Sequence, residues 1–404
     1  MSRRGARFQG VYLDWAADLH PDWAPGAAER EWLERQQEFT ADTAKSWQEL
    51  RSNVEKTRAA VAKLLHTRAV NNVVFSTGTL GALQLLTQAF GMTREESILF
   101  PGDEIVVTDC EFPILYELLY RRYVLRVAPI RRCSNAVEIK QAVMSAMTRN
   151  TRLVFFSHVL YRTGVLLPLG EIADAAKTFS PDVLVAVDGS QALGQVDVNL
   201  AREHCDFYMG DTHKWLQGPN NVGFLLAPKA EHVEKLLPLT LNPLATAQQY
   251  GRERYSCTKS GIVAFAVAAA LKTLTAWSGS RHEAVLKNHN AGLSGAFLKR
   301  VLALDHVSRY LASPPDGDLR TGIVGFDFGS VNRRVHRHLL SRRVKCTLHE
   351  PFIPAALVDQ VPRQSVVRLA FSDRWNTTAD VDFAAEALAA SMEEALEEPA
   401  RAGV

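Results

Sequence analysis

The stretch FYMGDTHKWLQG, from Phe207 to Gly218, sets one lysine, Lys214, between a histidine and a tryptophan just past a short apolar run. An ammonium taken out of water is costly unless it is paired or gives up its charge, so a lysine at a buried strand end invites a chemical role. Three other apolar runs end in residues of comparable interest. After VLVAV comes Asp188, followed by Gly189, Ser190 and Gln191. A carboxylate there needs a cation or donors nearby, or it caps the next helix. After NVVF comes Ser76-Thr77-Gly78-Thr79-Leu80, a glycine turn opening a helix. The free N–H groups and positive dipole end of such a helix suit a phosphate. Alone, that turn fits an ordinary strand-to-helix connection equally well. It is neither G-x-G-x-x-G nor G-x-x-x-x-G-K-[ST], which counts against dinucleotide and P-loop sites. After EIVVTD comes CEFP, whose Phe112 offers a flat face to the same cleft or fills a core.

Taken together, the four parts match the needs of pyridoxal phosphate. That cofactor needs an amine for its aldehyde, a carboxylate beside its ring nitrogen, a cup for its phosphate and a flat wall for its ring. Asp188 is expected to keep the nitrogen protonated by direct charge pairing where screening is poor. Lys214, released when a substrate amine takes its place, is the expected general acid and base.

These residues need a scaffold that brings distant strand ends together. From about residue 45 to 235, the runs NVVFS, EIVVTD, RLVFFSH, VLVAVD, DFYMGD and VGFLLA alternate with helix-like stretches such as GTLGALQLLTQAF and PLGEIADAAKTF. Strands alternating with helices imply crossovers and a mainly parallel sheet covered on both faces, with function at the strands' carboxyl ends. A helical stretch from Gly261 to Trp277 leads to GIVGFDFG, SVVRLAF and an amphipathic helix from about Thr378. The expected organisation has three parts. Residues 1–40 form a segment packed on the smaller domain or on a partner subunit, 41–260 a large α/β domain, and 261–404 a linking helix with a smaller α/β domain.

Composition narrows the class. The chain has 404 residues, 47% apolar, with 46 basic against 44 acidic side chains, so nothing in the balance calls for nucleic acid or an anionic membrane. The basic stretch RRVHRHLLSRR (Arg333 to Arg343) reads as a solvated helix face. Cys110, Cys133, Cys205, Cys257 and Cys346 form no C-x-x-C pair, which argues against a zinc site or a disulfide framework. Neither a signal peptide nor a membrane span is expected, and the location is expected to be cytoplasmic.

The ordered series YLDWAA, VVFSTGTLGALQLL, TDCEFP, SHVLYRTGVLLPLGEIADAAK, VLVAVDGSQALGQVDVNL, CDFYMGDTHKWLQGPNNVGFLLAP and VVRLAFSDRWNTTADVDF resembles the class V aminotransferase family. These are fold-type-I pyridoxal-phosphate enzymes, among them isopenicillin N epimerase, cysteine desulfurases and kynureninase. The resemblance implies a homodimer acting on an α-amino acid. Lys214 resembles the cofactor-bearing lysine, Asp188 the ring-nitrogen partner and Gln191 the glutamine facing the ring oxygen. Gly78, Thr79 and Leu80 match the phosphate loop, with His213 as a further phosphate contact and Ser190 beside Asp188. Phe112 holds the ring-stacking position, a histidine in desulfurases, and Tyr161 stands where they carry an asparagine. Thr258 resembles the threonine reaching the neighbouring subunit's phosphate. Arg368 matches the arginine that takes the substrate carboxylate, or else pairs with a nearby acid.

Three departures stand out. Asp211 replaces the family's small polar phosphate ligand and should repel phosphate, so it points away or Thr212 substitutes for it. Cys257-Thr258 replaces Gly-Thr. Aligning RRVKCTLHEP places Cys346 early and Glu350 near the desulfurase nucleophile's place, so Glu350 joins the expected substrate contacts. The expected reaction is β-elimination by a C–S lyase or a related tailoring activity. Epimerisation, transamination, desulfuration and a non-catalytic binding module stay open.

Overall fold

The computed structural model describes residues 10–17, 43–88, 97–220, 222–236, 289–313, 317–350, 353–361, 363–372 and 375–398. The strands are β1 (Val11–Tyr12), β2 (Val73–Ser76), β3 (Glu104–Thr108), β4 (Val124–Ala128), β5 (Thr151–Ser157), β6 (Leu184–Asp188), β7 (Phe207–Asp211) and β8 (Gly223–Leu226), then β9 (Ile323–Phe326), β10 (Val344–Lys345), β11 (Thr347–His349) and β12 (Val366–Ala370). The main helices are α1 (Thr43–Leu64), α2 (Thr79–Gln88), α3 (Pro113–Tyr120), α4 (Ala136–Ala146), α5 (Leu169–Phe179), α6 (Ala230–Leu236), α7 (His289–Val301), α8 (Asn332–Ser341) and α9 (Thr378–Glu397).

A seven-stranded sheet runs in the order β2-β8-β7-β6-β5-β3-β4, and β8 alone runs antiparallel to its neighbours. Its central strands are apolar throughout because both faces are covered. Alternate residues go to opposite sides. Val154, Phe156, Val185 and Val187 pack with α1, α4 and α5, while Leu153, Phe155, Ala186 and Met209 pack with α2 and α3. All six apolar runs became strands. β4 has no counterpart among those runs: it is an edge strand whose outer positions are exposed and which carries Arg126, so its apolar signal is diluted.

Local signals fix the helix starts. Pro113 opens α3, Asn135 caps α4 through the Glu138 amide, and Thr377 with Asp380 forms a capping box for α9. The smaller sheet is antiparallel, in the order β11-β12-β9, and it shares a separate core with α7, α8 and α9. In residues 10–17, β1 lies parallel to β10, Asp14 bridges to Ala370, and Trp15 enters the core of the large sheet. That short stretch therefore touches both sheets.

The basic stretch presents exposed arginines as expected, Arg333, Arg337 and Arg343 among them, and it is also laced with ion pairs. Arg337 and His338 pair with Glu398, Arg342 and His338 with Glu394, and Arg333 with Glu350. Arg337, and Arg342 just past α8, thus meet acids at the end of α9, partners too distant in sequence to infer. No helix among the described residues is long and apolar enough to cross a membrane. No group of three or more His, Cys, Asp or Glu among them is arranged to hold a metal.

Candidate active site

One cavity of about 430 Å³ opens at the carboxyl ends of β2, β6 and β7, the place where open α/β sheets bind ligands. Gly78, Thr79, Leu80, Phe112, Tyr161, Asp188, Ser190, Gln191, Asp211, His213, Lys214 and Arg368 all line it. The structure thus gathers twelve expected site residues that span most of the chain. Thr258 and Cys257 lie outside the described residues.

Asp188 ends β6 and is buried, accepting the N–H of Ser190 at 2.8 Å and its Oγ–H at 2.5 Å. Burial pushes its carboxyl up, while the Lys214 charge and the Ser190 bonds pull it back. The Ser190 hydroxyl also lies 2.5 Å from that of Thr79, so the carboxylate and the glycine turn are wired together. Gln191 is held at both ends. Its Nε2 donates to Ala16 O at 2.8 Å, and its Oε1 accepts from Trp215 Nε1 at 2.9 Å.

Gly78 turns into α2 with φ +88°, a conformation that favours glycine, and a Cβ there would come within 2.9 Å of Asp211. The bare turn and the helix N-terminus lie in the same cavity as Lys214 and Asp188, a donor set that suits the phosphate, aldehyde and ring nitrogen of pyridoxal phosphate. Asp211 is the exception. It does not point away: Oδ1 accepts the N–H of Thr79 at 2.7 Å, and Oδ2 lies 3.4 Å from Lys214 Nζ. Burial raises its pKa, but Lys214, His213 and the Thr79 amide outweigh that and leave it lowered. Thr212 does not substitute, since its hydroxyl donates to the carbonyls of Pro219 and Val222.

At the opposite wall, Tyr161 meets Phe112 edge-on at 5.3 Å and His349 edge-on at 5.0 Å. Burial pushes its phenol up to about 12, against the pull of Arg162. Arg368 is 1% exposed, donating through Nη1 to Tyr161 O at 2.9 Å and pairing through Nη2 with Asp14 at 3.2 Å. Its Nε has no partner among the described residues. This arginine thus lines the cavity and is at the same time paired to an acid.

Glu350 corrects the loose alignment. It lies on the surface, outside the cavity, bonded to Arg333 Nε at 2.5 Å. The preceding residue, His349, lines the cavity instead. Burial first, then Arg368, Arg162 and Lys214, drive its pKa well below the usual range, which keeps the imidazole neutral. Alternation along β11 was the available signal, because Thr347 pairs with Arg368 across the ladder and His349 falls two residues on. Cys346 is 1% exposed and absent from the cavity wall, and burial pushes its thiol far up.

The Aminotransferase class-V profile matches residues 12–383. The chain belongs to this family. It is accordingly a pyridoxal-phosphate-dependent enzyme. Among class V relatives, isopenicillin N epimerase of Streptomyces clavuligerus is 29% identical over 316 residues, 75% of this chain and 77% of that protein. A cysteine desulfurase of Dickeya dadantii is 33% identical over 46% of this chain and 44% of its own length. The solved structure of the cystine C–S lyase C-DES with its reaction product, cysteine persulfide, superposes with a TM-score of 0.77 at 20% identity. It covers 95% of this chain and 98% of that one. At that identity the likeness establishes the shared fold.

Beside Phe112, a buried carboxyl outside the cavity wall carries a shifted pKa. Glu111 is 3% exposed and accepts from Thr108 Oγ1 at 2.6 Å, Ser157 Oγ at 2.5 Å and Ser157 N at 3.1 Å. Ser157 in turn pairs with Asp188 across the β5–β6 ladder. Burial overrides those bonds, and Asp188 adds to the push, bringing Glu111 up to about 7 from its ordinary 4.5. The folded protein then holds this proton between about 4.5 and 7 while the unfolded chain has released it, so stability falls as pH rises through that window. The loss is on the order of 3 kcal/mol. Urea denaturation at pH 5 and pH 8 should show wild type losing that much more than Glu111→Gln. Parallel losses in the two proteins would rule out Glu111 as the group responsible.

Proposed function

We propose that this enzyme cleaves the Cβ–S bond of an S-substituted cysteine-like α-amino acid, as a β-eliminating C–S lyase. One observation carries the choice: the cavity beside Arg368 presents the neutral imidazole of His349, while Cys346 is sealed outside it. Desulfuration requires a cysteine thiol that reaches the substrate sulfur, and no cysteine lines this cavity among the described residues. The likeness to a cystine C–S lyase fold supports the same reading.

Bound pyridoxal phosphate supplies an electron sink for the bond broken at the substrate. The chain's own groups do the rest. Lys214 Nζ takes the Cα proton and delivers it to the sulfur that leaves Cβ, which departs as a thiol. Asp188 holds positive charge at the cofactor's far edge, and its Ser190 bonds fix its direction. Arg368 anchors the substrate carboxylate, an interaction suited to a guanidinium fork. Phe112 and Tyr161 wall the ring, and Gly78, Thr79 and Leu80 face its phosphate. A homodimer, with Thr258 completing the neighbouring site, a cytoplasmic location and a role in specialised, antibiotic-type metabolism belong to the same reading. A fully active monomer in sedimentation would reject the shared site.

Epimerisation is the second reading, favoured by the similarity to isopenicillin N epimerase over 75% of the chain. Incubating the holoenzyme with S-alkylcysteines and, separately, with plain cysteine separates these outcomes, since only the free thiol can leave a persulfide. The expected result is stoichiometric release of thiol and pyruvate. Solvent deuterium at Cα without product would replace lyase by epimerase, and a persulfide on Cys346 would replace it by desulfurase.

A further inference from the structure

The phosphate cradle contains a charge of the wrong sign. Asp211 closes β7 and is 7% exposed, with its Oδ1 on the backbone N–H of Thr79, the first residue of α2. Amides in the first turn of a helix have no acceptor within the helix, and together with the dipole they form the part of the fold that attracts an anion. The carboxylate also packs against bare Gly78, where a Cβ would lie 2.9 Å from Oδ1. Its second oxygen faces the ammonium of Lys214 at 3.4 Å. Asp211 therefore already makes the contact with the helix terminus that an incoming phosphate would make, and it pairs with the lysine that the cofactor's aldehyde would take.

We propose that Asp211 is an internal competitor of the cofactor phosphate, so that this enzyme holds pyridoxal phosphate loosely and exchanges it readily. The inference rests on the family's cofactor entering this cavity. Two consequences of loading act against Asp211. A phosphate with about −1.5 to −2 charges displaces it from Thr79. Attachment of the cofactor to Lys214 also removes the cation that faced it. Both leave a carboxylate beside a phosphate in a poorly screened pocket, where like charges repel strongly. Asp211→Asn keeps the shape and a hydrogen-bonding oxygen for Thr79 while removing the charge. Asp211→Ser restores the small polar residue usual in the family.

The test is equilibrium dialysis of holoenzyme against pyridoxal phosphate and, separately, against pyridoxal, which lacks the phosphate. Bound cofactor is read by absorbance. Both variants should retain pyridoxal phosphate at least about tenfold more tightly than wild type. Affinity for pyridoxal should rise by clearly less, because pyridoxal shares the loss of the Lys214 cation but not the repulsion at the phosphate. A general packing defect would move both compounds together. Wild type alone gives a second check that needs no variant: it should prefer pyridoxal phosphate over pyridoxal by less than about tenfold, and a thousandfold preference overturns the proposal. Variants that bind pyridoxal phosphate no more tightly than wild type overturn it alone. Wild type that takes up neither compound overturns it together with the cofactor assignment.

Discussion

Lys214→Ala is expected to reduce turnover by at least about 100-fold, the lower end of what a positioned proton carrier contributes. The larger loss comes from the missing amine, since no other lysine lines the cavity among the described residues. Wild-type protein treated with borohydride should carry cofactor fixed to Lys214, and the alanine variant should carry none. The fold should survive. Lys214 is followed by a short turn held by backbone bonds, with Gln217 N donating to Lys214 O at 2.8 Å and Gly218 N to Thr212 O at 2.7 Å. None of these involves the ammonium. Lys214→Arg sharpens the result. It restores a cation beside Asp211 but cannot condense with an aldehyde, so it should recover any stability lost and none of the activity. Full turnover by either variant would remove Lys214 from the chemistry.

The sequence was most readable where chemistry coincides with the end of an apolar run. Asp188 and Asp211 close five-residue strands that are almost wholly buried, with Lys214 three residues past the second, and such runs have few alternatives to a central parallel strand. Gly78 was readable because a positive φ at a strand-to-helix turn favours one residue type. What escaped notice depends on contacts between remote positions. Asp14 and Arg368 are 354 residues apart, and neither YLDWAA nor VVRLAF alone shows that one neutralises the other. Glu111 sits beside an aromatic that drew attention, and its role appears only when β3 and β5 set it against Ser157. The shift from Glu350 to His349 is a one-residue error in a period-2 element, and such an error exchanges inside for outside. For Asp211, sequence posed the right problem and proposed two escapes; the Thr79 amide and the bonds of Thr212 exclude both.

The pair Arg368 and Asp14 yields the second large effect, because this arginine serves structure and site together. Arg368→Ala removes the Nη2 partner of a carboxylate that is 5% exposed and leaves Tyr161 O without its donor. Stranding one member of a buried ion pair costs about 3–5 kcal/mol; half-exposed Lys345, 4.0 Å from Asp14, offsets only part of that, so the single variant should melt well below wild type. That loss by itself says nothing about substrate binding. Adding Asp14→Asn separates the two roles. The amide fills the same space without a stranded charge, and Thr347, whose hydroxyl donates to Asp14, can donate equally to an asparagine oxygen. The double variant should therefore regain at least half of the lost stability. Its KM should remain raised about tenfold or more, the equivalent of a lost charge-assisted contact of about 1.5–3 kcal/mol. If the double variant recovers both melting temperature and KM, Arg368 acts only through Asp14 and another group receives the carboxylate. If neither recovers while Asp14→Asn alone is well folded, the guanidinium's bond to Tyr161 O carries the wall of the cavity, and the substrate contact must be sought at His349.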